Sequence, residues 1–180
     1  MRTANTFVLF AALLLSSGVA ASQASPPSPA CAALEHRQFD FWVGYWDVFP
    51  TGKDKLVAHS LIEKLYAGCT IRENWMPLSK NDGGSLNMYD PATHKWHQTW
   101  QDSQNGRVEF DGNMVGGKMV LTGDWKGANG PGKDALTRMT YSPGADGSVR
   151  QLGEQSTDGG KTWSPSFDFT YRRSVSKPPR

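Results

Sequence analysis

The chain has 180 residues, and an N-terminal leader would leave enough for one domain with a core of its own, which excludes a multidomain machine. Nineteen Lys and Arg stand against 17 Asp and Glu, a formal net charge of +2, so there is no electrostatic footprint for nucleic acid or for an anionic membrane surface. Nineteen Gly, 11 Pro, seven Trp, five Tyr and eight Phe at a mean hydropathy of −0.52 predict tight turns between aromatic-rich strands, an all-β class.

Arg2 precedes an apolar run from Phe7 to Leu15 that is too short to cross ~30 Å of hydrocarbon, and small residues follow at Gly18, Ala20 and Ala21. The segment 1–21 reads as a signal peptide, which predicts a periplasmic or secreted protein with no membrane span. Ser25-Pro26-Pro27-Ser28-Pro29 marks 22–34 as a Pro/Ser-rich linker in extended backbone. In an oxidising compartment Cys31 and Cys69 are expected to pair, closing a loop worth roughly 4 kcal/mol in chain entropy, with two buried thiols as the alternative. Neither has the spacing of a metal knuckle.

A single domain is predicted over 35–173, followed by a disordered tail at 174–180. Its first element is a short helical turn between Glu35 and Trp42. From Gly44 onward, clusters such as Asn81-Asp82-Gly83-Gly84, Asp90-Pro91 and Asn105-Gly106 divide the chain into about ten short strands, and nothing between them keeps a helical period. Strict alternation points Val108 and Phe110 inward, likewise Met119, Leu121 and Trp125, then Trp96, Gln98 and Trp100, and finally Trp163, Phe167, Phe169 and Tyr171. One wet and one dry face per strand in a sequential meander favours a closed antiparallel β-barrel over a sandwich, because closure removes both edges.

Gly44-Tyr45-Trp46 has the G-x-W form that opens the first strand of lipocalin-like (calycin) barrels, where an Arg from the last strand lies across the indole. Parity selects Arg173 over Arg172 for that place. The wider pattern of FDFWVGYWDV, SLNMYDPATHKWHQTW, VRQLGEQSTDGGKTW and FDFTYRR resembles a bacterial family of secreted, calycin-like proteins of unknown function, over nearly all of 35–173. The chain departs from that family at Tyr45, where an acidic residue is usual. The resemblance implies a lipocalin-like fold and brings no catalytic residues.

Three motifs have structural readings. Ser156-Thr157-Asp158-Gly159-Gly160-Lys161-Thr162-Trp163 fits the Asp-box of sialidase propellers, but it occurs once in a chain too short for a propeller, so Asp158 is expected to organise a turn. His94 and His97 face opposite ways on a strand, which argues against a metal pair, and His59 is the only other strand histidine that could serve a haem; no metal and no cofactor are expected. Ser, His and Asp occur without a nucleophile elbow.

Polar residues on dry faces carry the functional expectation. Glu73 shares parity with Cys69, Ile71 and Trp75, Gln98 lies between Trp96 and Trp100, and Ser85, Asn87 and Tyr89 alternate between these strands. Buried polar groups must satisfy one another, hold water or bind a ligand; one self-satisfied arrangement would have Arg138 neutralise Glu73. The expected ligand site for a small, largely apolar molecule comprises Glu73, Trp75, Asn87, Tyr89, Gln98, Trp100, Trp125 and Tyr141, with no catalytic residue assigned. Two other classes compete: an enzyme using Glu73 as general acid or base in the same lumen, and a carbohydrate binder presenting Trp rings to solvent. The sequence leaves oligomeric state open.

Overall fold

The structure is a computed structural model, and residues 31–176 are described. The leader over 1–21, the linker up to residue 30 and the tail from 177 lie outside the described residues. Ten strands follow one another as an antiparallel meander: β1 (Gly44–Pro50), β2 (Ala58–Leu65), β3 (Thr70–Pro77), β4 (Gly83–Asp90), β5 (Lys95–Asp102), β6 (Arg107–Val115), β7 (Lys118–Trp125), β8 (Ala135–Pro143), β9 (Val149–Ser156) and β10 (Ser164–Arg173). Each pairs with its sequence neighbours, and β10 returns to β1, closing a lipocalin-like barrel. Closure leaves no unpaired edge, so each strand is dry on one side only.

The predicted helical turn is two consecutive 3₁₀ turns, Leu34–Arg37 and Asp40–Trp42. They drive Phe39 and Trp42, both fully buried, into one end of the barrel. Phe39 stacks on Trp42 at 4.9 Å and meets Trp96 edge-on at 5.6 Å. The Trp46 indole donates to the Trp42 carbonyl at 2.8 Å, and the Trp96 indole donates to Gln38 Oε1 at 3.1 Å, so the plug spends indole protons as well as apolar area. Lys64 pairs with Asp40, and the Cys31–Cys69 disulfide ties the segment to the β2–β3 connection.

Arg173 finishes the closed end as parity selects. Its guanidinium lies 4.0 Å over the Trp46 ring and donates to the Val43 carbonyl at 2.8 Å. The same guanidinium runs across Gly44, where any Cβ would collide with Arg173 Nη1, and Gly44 has φ +152°. The glycine of the G-x-W motif is therefore the floor on which the closing arginine rests.

One alternation is broken. Trp163 was expected inward with Phe167 and Phe169, but a bulge between Pro165 and Phe167 shifts the register of β10 against β9. Trp163 instead lies beneath Arg138 at 4.1 Å, on the outer side where Arg138 pairs with Glu154 at 2.9 Å. Arg138 thus does not neutralise Glu73. Asp158 organises the preceding turn, accepting from the backbone of Lys161 and Thr162 at 3.0 and 2.9 Å, and these bonds with those from the Thr162 and Ser156 hydroxyls hold its carboxyl well below the usual range.

Gly44→Ala and Arg173→Ala should each lower stability, by about 1–3 kcal/mol, and the double variant should cost clearly less than the two added together, because either change removes the same contact. Denaturant melts of the four proteins in that cycle test this; strict additivity would contradict the shared contact.

Candidate functional site

Parity sets which face a side chain occupies, and strand register sets its height along the barrel. Three layers result. At the closed end lie Phe39, Trp42, Trp46, Tyr89 and Trp96; at the other end the partly buried Trp75, Trp100, Trp125, Phe167 and Phe169 ring the lumen. Between them runs a polar belt of Ser60, Glu73, Ser85, Asn87, Gln98 and Gln151, all buried, joined by the hydroxyls of Tyr141 and Tyr171.

The belt is a continuous chain of hydrogen bonds. Tyr171 Oη donates to Gln151 Oε1 at 2.6 Å, and Gln151 Nε2 donates to Tyr141 Oη at 3.1 Å. Gln98 Nε2 donates to the same tyrosine at 3.2 Å and to Asn87 Oδ1 at 2.6 Å. Asn87 Nδ2 donates to the Ile71 carbonyl at 3.1 Å and to Ser85 Oγ at 3.0 Å, and Ser85 in turn donates to Glu73 Oε2 at 3.0 Å. Ser60 donates to the other carboxyl oxygen, Oε1, at 3.2 Å.

Inside this belt and the aromatic ring is a cavity of about 160 Å³, lined by Glu73, Trp75, Gln98, Trp100, Trp125 and Tyr141 together with Phe110, Met139, Gln151, Phe167, Phe169 and Tyr171. The Phe167 ring reaches it by lying over Gly153, where a side chain would occupy the ring's place. Glu73 is the one lining carboxyl. Desolvation by burial pushes it up to about 7 against the two serine hydrogen bonds, which pull the other way. Burial and the nearby Glu73 charge also raise Tyr141 and Tyr171, so both phenols stay neutral.

Six of the eight residues expected at the site, Glu73, Trp75, Gln98, Trp100, Trp125 and Tyr141, line the cavity. Asn87 and Tyr89 do not. Asn87 pairs with Ile71, one inward step nearer the plug than Glu73, and acts behind the wall; Tyr89 pairs with Trp96 in the plug and meets His36 edge-on at 5.4 Å. The sequence reading missed Gln151 and Ser60. Both were available to the same parity argument, since Gln151 sits between Val149 and Gly153 and Ser60 between Ala58 and Ile62.

The histidines lie apart from the lumen. His97 contacts Glu109 and Asp111 at 3.0 Å on the outer face, His59 bonds Asp47 at 2.8 Å with Tyr45 stacked on it, and His94 sits in the β4–β5 turn. No helix among the described residues is long and apolar enough to cross a membrane. Compared with known proteins, the chain matches no family model and no curated relative.

The raised Glu73 carboxyl has a consequence for stability. Its folded value of about 7 exceeds the unfolded 4.5, so the folded state holds the proton more tightly. That contribution is complete below the unfolded value and is lost as pH rises through about 7, a fall of about 3 kcal/mol. Glu73→Gln removes this titration. The stability difference between variant and wild type, from urea melts at pH values between about 4.5 and 8, should therefore shift in favour of the variant with rising pH; a constant difference would show a carboxyl of ordinary acidity.

Proposed function

We propose that the protein is exported and binds a small, largely apolar molecule inside the barrel, held by ring faces and oriented by Glu73, Gln98 and Tyr141. The observation that carries this reading is the cavity itself: eight of its twelve lining side chains are aromatic, and the few polar ones belong to one hydrogen-bonded belt. Apolar walls with a few convergent polar groups are the usual composition of a ligand site. A volume of about 160 Å³ is close to that of an engineered apolar cavity that takes up benzene, which points to a ligand of about one ring. Tyr141 Oη accepts from both Gln98 and Gln151, leaving its own proton to orient an acceptor in the cavity. The disulfide, and the resemblance to a secreted calycin-like family, support export.

A second reading rests on Glu73. A carboxyl at about 7 inside a cavity has the acidity of a general acid or base, and the same lumen would then process its ligand. Six of the seven Trp rings face inward or line the rim, and the outer one, Trp163, is covered by Arg138, which gives a carbohydrate-binding surface no comparable support.

Native mass spectrometry of protein purified gently from its own host should show a co-purifying species of about one ring in size. Trp100→Ala should weaken apolar-probe binding about tenfold, whereas His97→Ala, on the outer face, should leave it unchanged. Probe binding unaffected by Trp100→Ala would remove the lumen as the site. A Glu73→Gln variant that retains binding but loses turnover of the bound molecule would favour the enzyme.

A further inference from the structure

We propose that the lumen selects a positively charged ligand, a small ring-bearing amine whose ammonium group pairs with Glu73 while the aromatic walls hold its apolar part. This rests on the lumen being the binding site.

The hydrogen bonds around Glu73 run toward it. The Ile71 carbonyl can only accept, so the atom of Asn87 that faces it is the amide nitrogen. Asn87 Nδ2 also reaches Ser85 Oγ, which is thereby an acceptor and turns its own proton toward Glu73 Oε2. Ser60 supplies a second hydroxyl to Oε1. The two carboxyl oxygens thus each receive a donor from the wall. Such an arrangement stabilises a carboxylate.

No cation of the protein reaches that carboxylate among the lining residues. Among the described residues no Lys, Arg or His lines the cavity, and the nearby cations are all engaged elsewhere. Arg173 covers Trp46, Lys64 pairs with Asp40, Arg138 pairs with Glu154, and Arg72 pairs with Glu63 outside β3. The titratable groups facing Glu73 across the lumen are the phenols of Tyr141 and Tyr171; β2 and β4 present Ser60, Ser85 and Asn87 to it. A buried carboxylate with prepared donors and no partner cation lacks only the positive charge. The aromatic lining by Trp75, Trp100, Trp125, Phe167 and Phe169 favours that charge as well, because a ring face offered to a ligand attracts a cation and repels an anion.

Binding of a cation at Glu73 is linked to its proton. An unliganded Glu73 is protonated below about pH 7, and an ammonium group in contact with it would drive the proton off. An amine ligand that is itself protonated throughout should therefore bind with release of about one proton per site near pH 6 and none near pH 8.5, and its affinity should fall nearly tenfold for each unit below about 7.

Benzylamine, benzyl alcohol and benzoate share one ring and differ in charge, and they are the probes. Titration calorimetry of the full mature chain with each, near pH 6 in two buffers of different ionisation enthalpy and again near pH 8.5, reads both affinity and proton release. The proposal expects benzylamine to bind at least tenfold more tightly than benzyl alcohol near pH 8.5, benzoate to bind weakest, and proton release near pH 6 with benzylamine alone. Glu73→Gln should bring benzylamine down to the level of benzyl alcohol while leaving benzyl alcohol bound. If that variant does not fold, proton release in the wild type decides. Equal binding of amine and alcohol without proton release, or tighter binding of benzoate with proton uptake, overturns the cation assignment and leaves the lumen reading in place. Binding of none of the three rejects both.

Discussion

Closure of the sheet on itself governs the rest of the molecule. Because Trp46 pairs with Arg173 and Val48 with Tyr171, the first and last strands supply the final ladder, and no strand has a free edge. Once the sheet is a cylinder, every second side chain enters a space of fixed width, which limits what can stand there. Such a space must also be sealed where it ends. The Phe39–Trp42 plug and the Arg173 guanidinium on Trp46 do this at one end, and the arginine satisfies the Val43 carbonyl. At the other end there is a ring of partly buried aromatics instead of a plug, so the barrel has a blind end and a mouth.

The belt is where closure and polarity meet. Eight side chains that can hydrogen-bond are confined to one level of a narrow lumen, far from bulk water, and each must find a partner. They do so in series, from Tyr171 through Gln151, Tyr141, Gln98, Asn87 and Ser85 to Glu73. The chain turns at Tyr141, which accepts from both Gln151 and Gln98; from Gln98 onward the donors run through Asn87 and Ser85, in a sense set by the Ile71 carbonyl, and end on the only carboxyl in the wall of the cavity. Burial pushes Glu73 toward neutrality while the hydroxyls hold it toward charge, so a small change in its surroundings shifts the balance.

Much of this was legible in the sequence, and the reason is the period of two. Alternation in Arg107-Val108-Glu109-Phe110 or Lys95-Trp96-His97-Gln98 assigns each side chain to a face, and the barrel obeys it closely. Gly44, Trp46 and Arg173 were legible because a barrel end imposes a stereotyped solution. Height along the axis was not legible. Tyr89 and Asn87 have the right parity, but strand register places one in the plug and the other behind the cavity wall, and register depends on pairing along the whole circuit. Trp163 failed for a local reason, since one extra residue near Pro165 reverses the face of everything before it. Arg138, a partner for Glu73 on charge alone, is alternated outward by its own strand between Thr137 and Met139. Gln151 and Ser60 escaped because a single polar residue on an otherwise apolar inward face looks unremarkable until its cross-strand partners are known.

Stability alone gives no reason for the belt. An apolar residue in place of Glu73 would avoid the desolvation cost and leave Ser60 and Ser85 to satisfy each other or the backbone, and well-packed apolar substitutes for buried charged groups are often neutral or stabilising. The plug shows that this chain can fill a barrel end with interlocking rings when filling is what is required. At the level of Glu73 it leaves a cavity and lines one side of it with a carboxyl and ordered donors. Departures from the most stable packing concentrate where a protein interacts with something else. Here the departure is confined to one level of the lumen, between the plug and the ring of partly buried aromatics, and it centres on a single buried carboxyl.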